Sequence, residues 1–304
     1  MRVLVVYYTQ SGQLKEIIDS VVAPLTPDSN IVVDYEELRP VSDYPFPWGD
    51  AFFDCFPECV MDIPCALHPF SFNPETEYDL IILACQSWFL SPSIPIASFL
   101  NTTEAQRLLR GRRVITLHGI RNMWVSAQEI IKQKLSAAGA RLVGNIVLAD
   151  RHNNWIAAIT IVRWLVHGKR GPTGILPRAG VSDADIRNAS RFGEILLDSI
   201  KNNSYDDLQQ NLVAAGAVRV KFDLLLIERN ARKIFVKFAR NVLHRSTISA
   251  EKRSAGVSIF KGYLLFALFL LSPIVSVIFT IAGLLIYPVA RKKIKYYQGI
   301  LLKS

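Results

Sequence analysis

The chain has 304 residues, with 35 Lys and Arg against 26 Asp and Glu and a formal net charge of +9 at pH 7. This length predicts one α/β domain with an appendage. The charge locates the appendage, because residues 1–200 carry 18 basic and 21 acidic residues whereas residues 201–304 carry 17 and 5. The four cysteines neither form a C-x-x-C pair nor stand at metal-ligand spacing from a histidine, which excludes a zinc-finger type of site and favours a reducing, cytoplasmic compartment.

The N-terminal two thirds of the chain alternates strand and helix patterns. Runs rich in β-branched residues predict five strands, at residues 2–8, 30–38, 78–88, 111–120 and 140–150. In the helix between the last two strands, we expect Ser126 to cap the first turn and Gly139 to end the last one. The alternation predicts an α/β fold, a flavodoxin-like doubly wound five-stranded parallel sheet in the order 2-1-3-4-5. Ligands of such sheets bind at the carboxyl ends of the strands, so loops 9–14, 86–93 and 118–124 are expected to meet there.

Two stretches lie outside this minimal sheet. Residues 45–64 form an aromatic and proline-rich insertion after the second strand. The chain after Asp150 has the pattern of a helix with an apolar stripe, formed by Trp155, Ile159, Val162 and Val166. One more amphipathic helix follows, and we expect the domain to cover residues 1–202.

The remaining chain is predicted to be helical and directed to a membrane. Residues 203–255 form a basic amphipathic region, in which residues 218–245 resemble a helix lying on a lipid surface. Residues 256–304 form a hydrophobic segment with basic flanks, and residues 263–290 contain no charge over 28 residues, more than the ~20 that cross a bilayer. This run between basic clusters favours a lipid surface over nucleic acid as the partner. Because Pro273 interrupts it, a kinked span and a re-entrant hairpin both fit, and the basic flanks favour a hairpin at the cytoplasmic face of the inner membrane.

The first loop suits a phosphate group. A phosphate monoester needs several N–H and O–H donors, preferably at a helix N-terminus. Hydroxyls, a flexible glycine and helix-initial amides are supplied by Thr9, Gln10, Ser11, Gly12, Gln13 and Leu14. No lysine stands where a P-loop has one, so a nucleoside triphosphate is disfavoured. Together with the two later loops, this pattern predicts the phosphate site of flavin mononucleotide (FMN).

These loops resemble those of a known superfamily. YYTQSGQ resembles the phosphate loop of flavodoxin-like proteins, and CQSWFLSPSIP resembles the isoalloxazine loop of their quinone-reductase branch. The second resemblance implies contacts with the flavin ring from Gln86, Ser87, Trp88 and Phe89. The segment TLHGIRNMW stands where flavodoxin-like proteins contact the pyrimidine edge of the flavin, which implies roles for Gly119, Ile120, Arg121 and Asn122. In this arrangement the guanidinium of Arg121 would stabilise a reduced, anionic flavin.

A closer resemblance covers residues 1–200. The segments YYTQSGQLKEII, YPFPWGDAFFD, SWFLSPSIP, HGIRNMW and LADRHNN, with the hydrophobic C-terminus, resemble the bacterial dialkylresorcinol-biosynthesis proteins. The resemblance implies an FMN-dependent aromatase, an enzyme that dehydrogenates a dialkyl cyclohexane-1,3-dione supplied by a partner ketosynthase to a dialkylresorcinol. Because such a hydrophobic small molecule partitions into bilayers, a membrane anchor shortens its path. Flavodoxin-like reductases often dimerise across the flavin site, so a homodimer is a further expectation.

The aromatase reaction needs a base, charge stabilisation for an enolate, and an apolar pocket. The candidate bases are His118 and His152, each at the end of a predicted strand, although a lone histidine is more often a hydrogen-bonded structural residue. Arg151 and Asn153 are the candidates that hold the dione oxygens. The alkyl pocket is expected from aromatic and apolar side chains of the insertion and the following helix, namely Trp48, Phe52, Phe53, Phe56, Trp155 and Ile159.

Two other functions remain open from the sequence. One is a membrane-associated NAD(P)H:quinone reductase of the same fold, for which the membrane would supply the quinone. The other is a non-catalytic flavodoxin-type electron carrier. Acidic surfaces usually accompany the second role, and residues 1–100 carry 14 acidic residues against 3 basic ones.

Overall fold

The computed structural model describes residues 1–48, 51–152, 154–172, 174–271, 274–275 and 287–302. Its strands are β1 (Arg2–Tyr7), β2 (Val32–Glu37), β3 (Leu80–Cys85), β4 (Ser87–Trp88), β5 (Ser91–Pro92), β6 (Arg113–Ile120) and β7 (Arg141–Ala149). The helices of the first half are α1 (Gln13–Val22), α2 (Ala51–Asp54), α3 (Phe56–Met61), α4 (Ile94–Leu100), α5 (Thr103–Leu109) and α6 (Val125–Ala137). Those of the second half are α7 (Asn154–His167), α8 (Asp183–Arg187), α9 (Ser190–Lys201), α10 (Leu208–Ala214), α11 (Phe222–Ser246), α12 (Ala250–Phe266), a π-helical turn (Ala267–Leu271) and α13 (Tyr287–Gln298).

Five of the strands form one parallel sheet in the order β2-β1-β3-β6-β7. These are the five strands that the sequence predicts. The short strands β4 and β5 form a separate antiparallel ribbon after β3. When the ribbon is left out, the order along the chain is 2-1-3-4-5, which is the flavodoxin-like order. The predicted fold class is therefore confirmed.

Both faces of the sheet are buried, and two of its strands, β1 and β3, are apolar from Val3 to Val6 and from Leu80 to Ala84. On β1, Val3 and Val5 point into a layer that contains α1, α8, α9 and α10, whereas Leu4 and Val6 point into a layer that contains α3 to α6. Successive side chains of a strand alternate between faces, so an uninterrupted apolar run fills both layers. The carboxyl ends of the strands remain as the edge where polar loops gather.

The first layer continues past residue 202, where the sequence analysis ends the domain. Tyr205, Leu208, Leu212 and Val218 are all buried in the same cluster as β1 and α1. The loop and helix after α9 therefore belong to the domain, and a boundary at residue 202 cuts through its core.

Helix α11 packs on the domain with its apolar face. Phe235, Ala239 and Val242 are buried in the second layer, beside α3 and α6. The expectation that residues 218–245 lie on a membrane surface is corrected, because the stripe that a lipid surface would take up is already covered by protein.

Helix α12 begins docked on the insertion. The ring of Phe260 stacks on the ring of Phe56 with centroids 3.4 Å apart. Nη1 of Arg253 lies 2.8 Å from Oε1 of Glu58, and Nε lies 3.1 Å from Oδ1 of Asp54. One of the basic residues that precede the apolar run thus fixes the helix to the domain instead of facing solvent.

The continuous helix Ala250–Leu271 has 22 residues and a mean hydropathy of 1.8, which is long and apolar enough to cross a membrane by length and composition. Beyond its docked start, large side chains are exposed, such as Phe266 at 54 % and Leu270 at 57 %. Residues 272–273 and 276–286, which complete the predicted apolar run, lie outside the described residues.

The chain after the apolar run returns to the same domain. The hydroxyl of Tyr296 on α13 donates to Oε2 of Glu129 on α6 at 2.7 Å. Nε2 of Gln209 donates to the carbonyl oxygen of Gln298 at 2.6 Å. Both flanks of the apolar run are therefore attached to one body.

Candidate functional site

The carboxyl ends of β1, β3 and β6 border one cleft. It is lined by three predicted loops that are far apart in the sequence, through Gln10, Ser11, Gln13, Leu14, Gln86, Ser87, Trp88, Phe89, Gly119, Ile120 and Arg121. Of the predicted cofactor residues, Thr9, Gly12 and Asn122 do not line it. The remaining wall comes from α7 and the chain before α8, through Ile161, Trp164, Leu165 and Gly180, which the sequence analysis did not identify.

The phosphate loop has the geometry of an anion site. Gly12 precedes α1 in the left-handed region, with φ 81° and ψ −22°, and no side chain caps the helix. The first backbone N–H groups of a helix lack partners within the helix. Oγ1 of Thr9 is buried and makes no hydrogen bond. The helix dipole and the first amides of α1 therefore favour an anion at this end of the helix, and the hydroxyl of Thr9 precedes them with no partner.

The side chain of Gln13 holds this loop against the opposite wall. Its Nε2 donates to the carbonyl oxygen of Val181 at 3.0 Å, and its Oε1 accepts from the backbone N–H of Val181 at 3.2 Å. Gly180 has φ +83°, and a Cβ there would lie 2.6 Å from Oε1 of Gln13 and 2.9 Å from Cζ3 of Trp164. Glycine is required at position 180 because φ is positive and because a Cβ would clash with Gln13 and Trp164. Since the Gln13 side chain bonds to Val181 through both of its polar atoms, it can serve an anion only through its backbone N–H.

The second loop folds into the β4–β5 ribbon. Phe89 and Leu90 form its tip with φ values of 48° and 63°. Two successive left-handed residues make a tight hairpin turn, which normally requires asparagine or glycine. Such strain, about 1–2 kcal/mol per residue, persists only where the surroundings impose it. The strained turn places Phe89 in the lining of the cleft.

Arg232 of α11 braces the ribbon from outside. Its Nη1 donates to Oγ of Ser91 at 2.8 Å, and its Nη2 donates to the carbonyl oxygen of Val60 at 3.0 Å. On the cleft side, Oε1 of Gln86 and Oγ of Ser87 are buried without a hydrogen-bond partner. Buried polar atoms without partners are uncommon in folded proteins, so their position in the predicted ring loop indicates a ligand.

The Trp88 indole belongs to an aromatic cluster at the cleft. It meets Trp48, Tyr44 and Tyr8 edge to face, at centroid distances of 4.7, 5.3 and 5.8 Å. Burial raises the pKa of Tyr8 and of Tyr44, so both phenols are neutral at physiological pH. Trp48, which was expected in the alkyl pocket, belongs to this cluster instead.

The third loop begins inside β6. β3 pairs with β6 only as far as Cys85 and His118, so the strand edge at Gly119 and Ile120 loses its neighbour on that side. Both residues line the cleft. The backbone of this edge is therefore without a strand partner on the β3 side, and contact with a flavin stays a prediction.

Arg121 joins the cleft to a second, apolar cavity and lines both. Burial lowers the pKa of its guanidinium to about 10, and the negative charge of Asp150 opposes this shift. The side chain therefore stays cationic at neutral pH. Asn122 lines the apolar cavity and not the cofactor cleft, which corrects its predicted contact with the flavin edge.

The apolar cavity has a volume of about 240 Å³. It shares Ser87, Phe89, Arg121, Ile161 and Leu165 with the cleft. Its far walls come from the C-terminal helices, through Ile227, Ala231, Phe235, Tyr263, Leu264, Leu265, Ala267 and Leu268. One side of this cavity, beside the cleft of the three loops, is thus formed by helices that were predicted to be directed to the membrane.

The predicted alkyl pocket is largely wrong. Phe53 lines the apolar cavity, but Phe56 is buried in its stack with Phe260. Ile159 is exposed, because α7 buries Ala158 and Trp164, whereas Val162 of the predicted stripe does line the apolar cavity. The side chains of the other two candidates, Phe52 and Trp155, are not among those that the structure describes.

His118 is fully buried and lines neither cavity. Its Nε2 lies 2.8 Å from Oε1 of Gln128, whose Nε2 donates to Oγ1 of Thr116 at 2.9 Å. Burial lowers the pKa of His118 to about 4, so its ring is neutral at physiological pH. The structure gives this histidine a packing role, and the hypothesis of a catalytic base at His118 is corrected on that ground.

The other catalytic candidates lie at the end of β7. Nδ1 of His152 is 2.7 Å from Oδ1 of the buried Asp150, but His152 is not among the residues that line either cavity, and its role as a base stays a prediction. Arg151 pairs with Asp185 at 2.6 Å and lines a third cleft that meets the apolar cavity at Asn122, but it is not among the described residues that line that cavity or the cleft of the three loops. Asn153 lies outside the described residues. Within the described chain, no group of three or more His, Cys, Asp or Glu side chains is arranged to hold a metal ion.

Comparison with known proteins gives similarity at the level of solved structures. No protein-family model and no curated protein matches the chain. A flavodoxin from the domain Archaea is 13% identical with a TM-score of 0.38, covering 66% of this chain and 99% of its own. A flavoprotein from Lactobacillus acidophilus in complex with FMN is 16% identical with a TM-score of 0.37, covering 48% and 92%. Two-electron reduced flavodoxin from Megasphaera elsdenii is 18% identical with a TM-score of 0.30, covering 50% and 89%. At this level of similarity, the fold assignment rests on the sheet order itself.

Proposed function

We propose that this protein is an FMN-dependent oxidoreductase that aromatises a dialkyl cyclohexane-1,3-dione to a dialkylresorcinol at a membrane. The observation that carries the proposal is the junction at Arg121, where a cleft of three polar loops opens on an apolar cavity. A flavin requires the polar cleft, and a hydrophobic substrate requires the apolar cavity. In this proposal a ketosynthase supplies the dione.

The residues of the cleft fit FMN. Its phosphate would lie at the N-terminus of α1, bound by Thr9, Ser11 and the first amides of the helix. Its ring would lie between the ribbon at Trp88 and the strand edge at Gly119. The buried, unpartnered oxygens of Thr9, Gln86 and Ser87 support this assignment, because a bound flavin would satisfy them.

The proposed reaction removes two hydrogens from the ring, one as a proton and one as a hydride that the bound flavin accepts. Arg121 is the only charged side chain among the described residues that line either cavity. A 1,3-dione is acidic between its carbonyl groups, so the substrate can bind as an enolate whose charge Arg121 would stabilise. The surrounding apolar side chains would exclude water and strengthen that interaction.

We also propose that the protein is attached to the cytoplasmic face of the inner membrane by a hairpin. Helix α12 is fixed to the insertion through Arg253, and α13 is fixed to α6 through Tyr296. Flanks attached to one domain support a segment that enters and leaves the bilayer on the same side. Exposed apolar residues on the helix between Phe266 and Leu271 would be the inserted surface.

Two alternative functions make different demands on the site. An NAD(P)H:quinone reductase would use the same cleft, whereas an electron carrier would not need the apolar cavity.

The test uses full-length protein reconstituted with FMN in phosphatidylcholine nanodiscs without oxygen. The proposal expects 2-hexyl-5-propylcyclohexane-1,3-dione to bleach the flavin absorbance and to yield one resorcinol per flavin, whereas NADPH does not. Bleaching by NADPH alone would support the reductase. Reduction by neither, with reduction by a reduced ferredoxin, would support the carrier, and failure to bind FMN would overturn all three.

A further inference from the structure

We infer that the apolar cavity is a binding site for one alkyl chain of an amphipathic ligand and that the C-terminal helices form its wall. The inference rests on the proposed function only for the identity of the ligand's polar ring. It assigns α11, α12 and the π-helical turn to substrate binding, in addition to any role in membrane attachment.

The lining of the cavity changes polarity from one end to the other. At the cofactor end stand Ser87, Arg121 and Asn122. Beyond them, the only polar side chain in the described lining is that of Tyr263. A ligand with a polar ring and an alkyl chain matches this order, because each part meets surroundings of its own polarity. A peptide would leave its backbone groups without partners in the apolar part.

Among the described residues, the helix that lines the cavity also has exposed apolar side chains. Leu264, Leu265 and Leu268 line the cavity, whereas Phe266 and Leu270 on the same helix are exposed. This helix, Ala250–Leu271, is the one with the length and hydropathy of a membrane segment. The occupant therefore comes from lipid, in which its alkyl chain is dissolved before it enters the cavity.

The wall is anchored to the domain at points outside the cavity. Arg232 ties α11 to the ribbon and to the insertion, and Phe260 ties α12 to Phe56. Glu228 ties α11 to the start of α6. Sites that bind small molecules are usually preformed, and these anchors hold the wall without any ligand.

The test measures how affinity depends on chain length. Resorcinols with 4-alkyl chains from ethyl to octyl are titrated by calorimetry into full-length protein in dioleoylphosphatidylcholine nanodiscs, with empty nanodiscs as the blank. Each methylene that enters the cavity should lower Kd about fourfold. In Ala231→Phe, whose ring would fill the cavity, the ethyl compound should bind as in the wild type while the gain per methylene disappears.

Two further variants make the result decisive. Ala267→Phe fills the cavity from the π-helical turn and covers the case in which Ala231→Phe does not fold. Ala255→Phe makes the same substitution at an exposed position of α12 and should keep the wild-type decrease in Kd per methylene. An equal decrease in Kd per methylene in all variants would overturn the inference and would show that the higher affinity of longer chains comes from partition into lipid.

The measurement separates this inference from the proposed function. Titrations are carried out with and without FMN. Chain-length dependence in protein that binds no FMN would support the alkyl site while the proposed function fails. Tight FMN binding with no difference between Ala231→Phe and Ala255→Phe would leave the cofactor assignment intact and overturn the alkyl site alone.

Discussion

Glu228 of α11 accepts a hydrogen bond from the backbone N–H of Ser126, 102 residues earlier in the chain, at 2.6 Å. Ser126 is the second residue of α6, and the residue before that helix, Trp124, provides no side-chain cap. A carboxylate there satisfies donors that the helix cannot satisfy itself. The contact joins the C-terminal region to the loop at residues 118–124, which borders the proposed flavin site.

This contact makes stability depend on pH. Burial raises the pKa of Glu228 from 4.5 to about 7, although hydrogen bonds from the first amides of α6 oppose the shift. The folded protein therefore holds a proton that the unfolded chain releases above pH 4.5, so the free energy of unfolding falls as pH rises toward 7. Glu228→Gln keeps an acceptor and removes this titration. Between pH 4 and pH 8, the free energy of unfolding of the variant should therefore rise by about 3 kcal/mol relative to that of the wild type, as measured by urea titrations.

The control for this prediction is Glu194→Gln, at an exposed position of α9. It should leave the difference between pH 4 and pH 8 as in the wild type. A wild type and a Glu228→Gln variant whose unfolding free energies run parallel across this range would contradict the assignment of a buried, raised carboxyl.

The sheet could be predicted because its signals are local. Strand β1 is an uninterrupted apolar run, and Gly12 with its polar neighbours marks the turn into α1. The order of strands then follows from handedness, and it brings loops 9–14 and 86–93 to one edge without any knowledge of side-chain contacts. That is why the cofactor loops could be named from the sequence.

The apolar cavity and the partner of the N-terminus of α6 could not be predicted in this way, although Gly139 does follow the end of that helix with φ 73°. Ser126 was expected to cap α6, but its N–H bonds to Glu228, and no local pattern identifies a partner 102 residues away. The composition of α11 fits a membrane surface and a protein surface equally well. His118 lies near the carboxyl end of β6, at the correct edge, yet strand alternation turns it into the interior.

Thr9→Val should separate cofactor binding from stability. Oγ1 of Thr9 has no hydrogen-bond partner, so replacing it with a methyl group of similar shape should leave the free energy of unfolding of the FMN-free protein within about 0.5 kcal/mol. A hydrogen bond to a charged phosphate contributes about 1.5–3 kcal/mol, so FMN affinity should fall about tenfold to hundredfold. Fluorescence titration of FMN measures this, with the exposed Thr103→Val as the control. Lost stability with unchanged FMN affinity would contradict the phosphate assignment.

Gly180→Ala should disrupt the wall opposite the phosphate loop. Its Cβ would lie 2.6 Å from Oε1 of Gln13, so the Gln13–Val181 hydrogen bonds cannot both persist. Gly216→Ala is the matched control, because Gly216 has φ +82° and nothing within 4 Å of its Cβ. Thermal and urea unfolding should show a loss for Gly180→Ala that exceeds the control by about 1–3 kcal/mol. Equal losses would mean that backbone strain alone matters at both sites.

Arg121→Gln should shift the redox balance of the bound flavin. A cation beside a reduced, anionic flavin stabilises it, so removing the charge should lower the midpoint potential. A loss of about 1–2 kcal/mol corresponds to roughly 20–40 mV for a two-electron couple. Equilibration with a reference dye under anaerobic conditions measures the potential. Arg187→Gln, at an exposed position of α8, should leave it unchanged. An unchanged potential in Arg121→Gln would exclude this role.

Because both flanks of the apolar run are attached to one domain, we expect both flanks to be accessible from the same side of the membrane. Ser254 on α12 and Lys292 on α13 are exposed, before and after the apolar run. In protein with Cys55→Ser and Cys65→Ser, Ser254→Cys and Lys292→Cys should both react with an impermeant maleimide in inside-out inner-membrane vesicles, and neither should react in intact spheroplasts. A single span would expose one of them on each side. Retention of the protein after a carbonate wash would separate an inserted hairpin from a peripheral attachment, since only an inserted segment resists extraction.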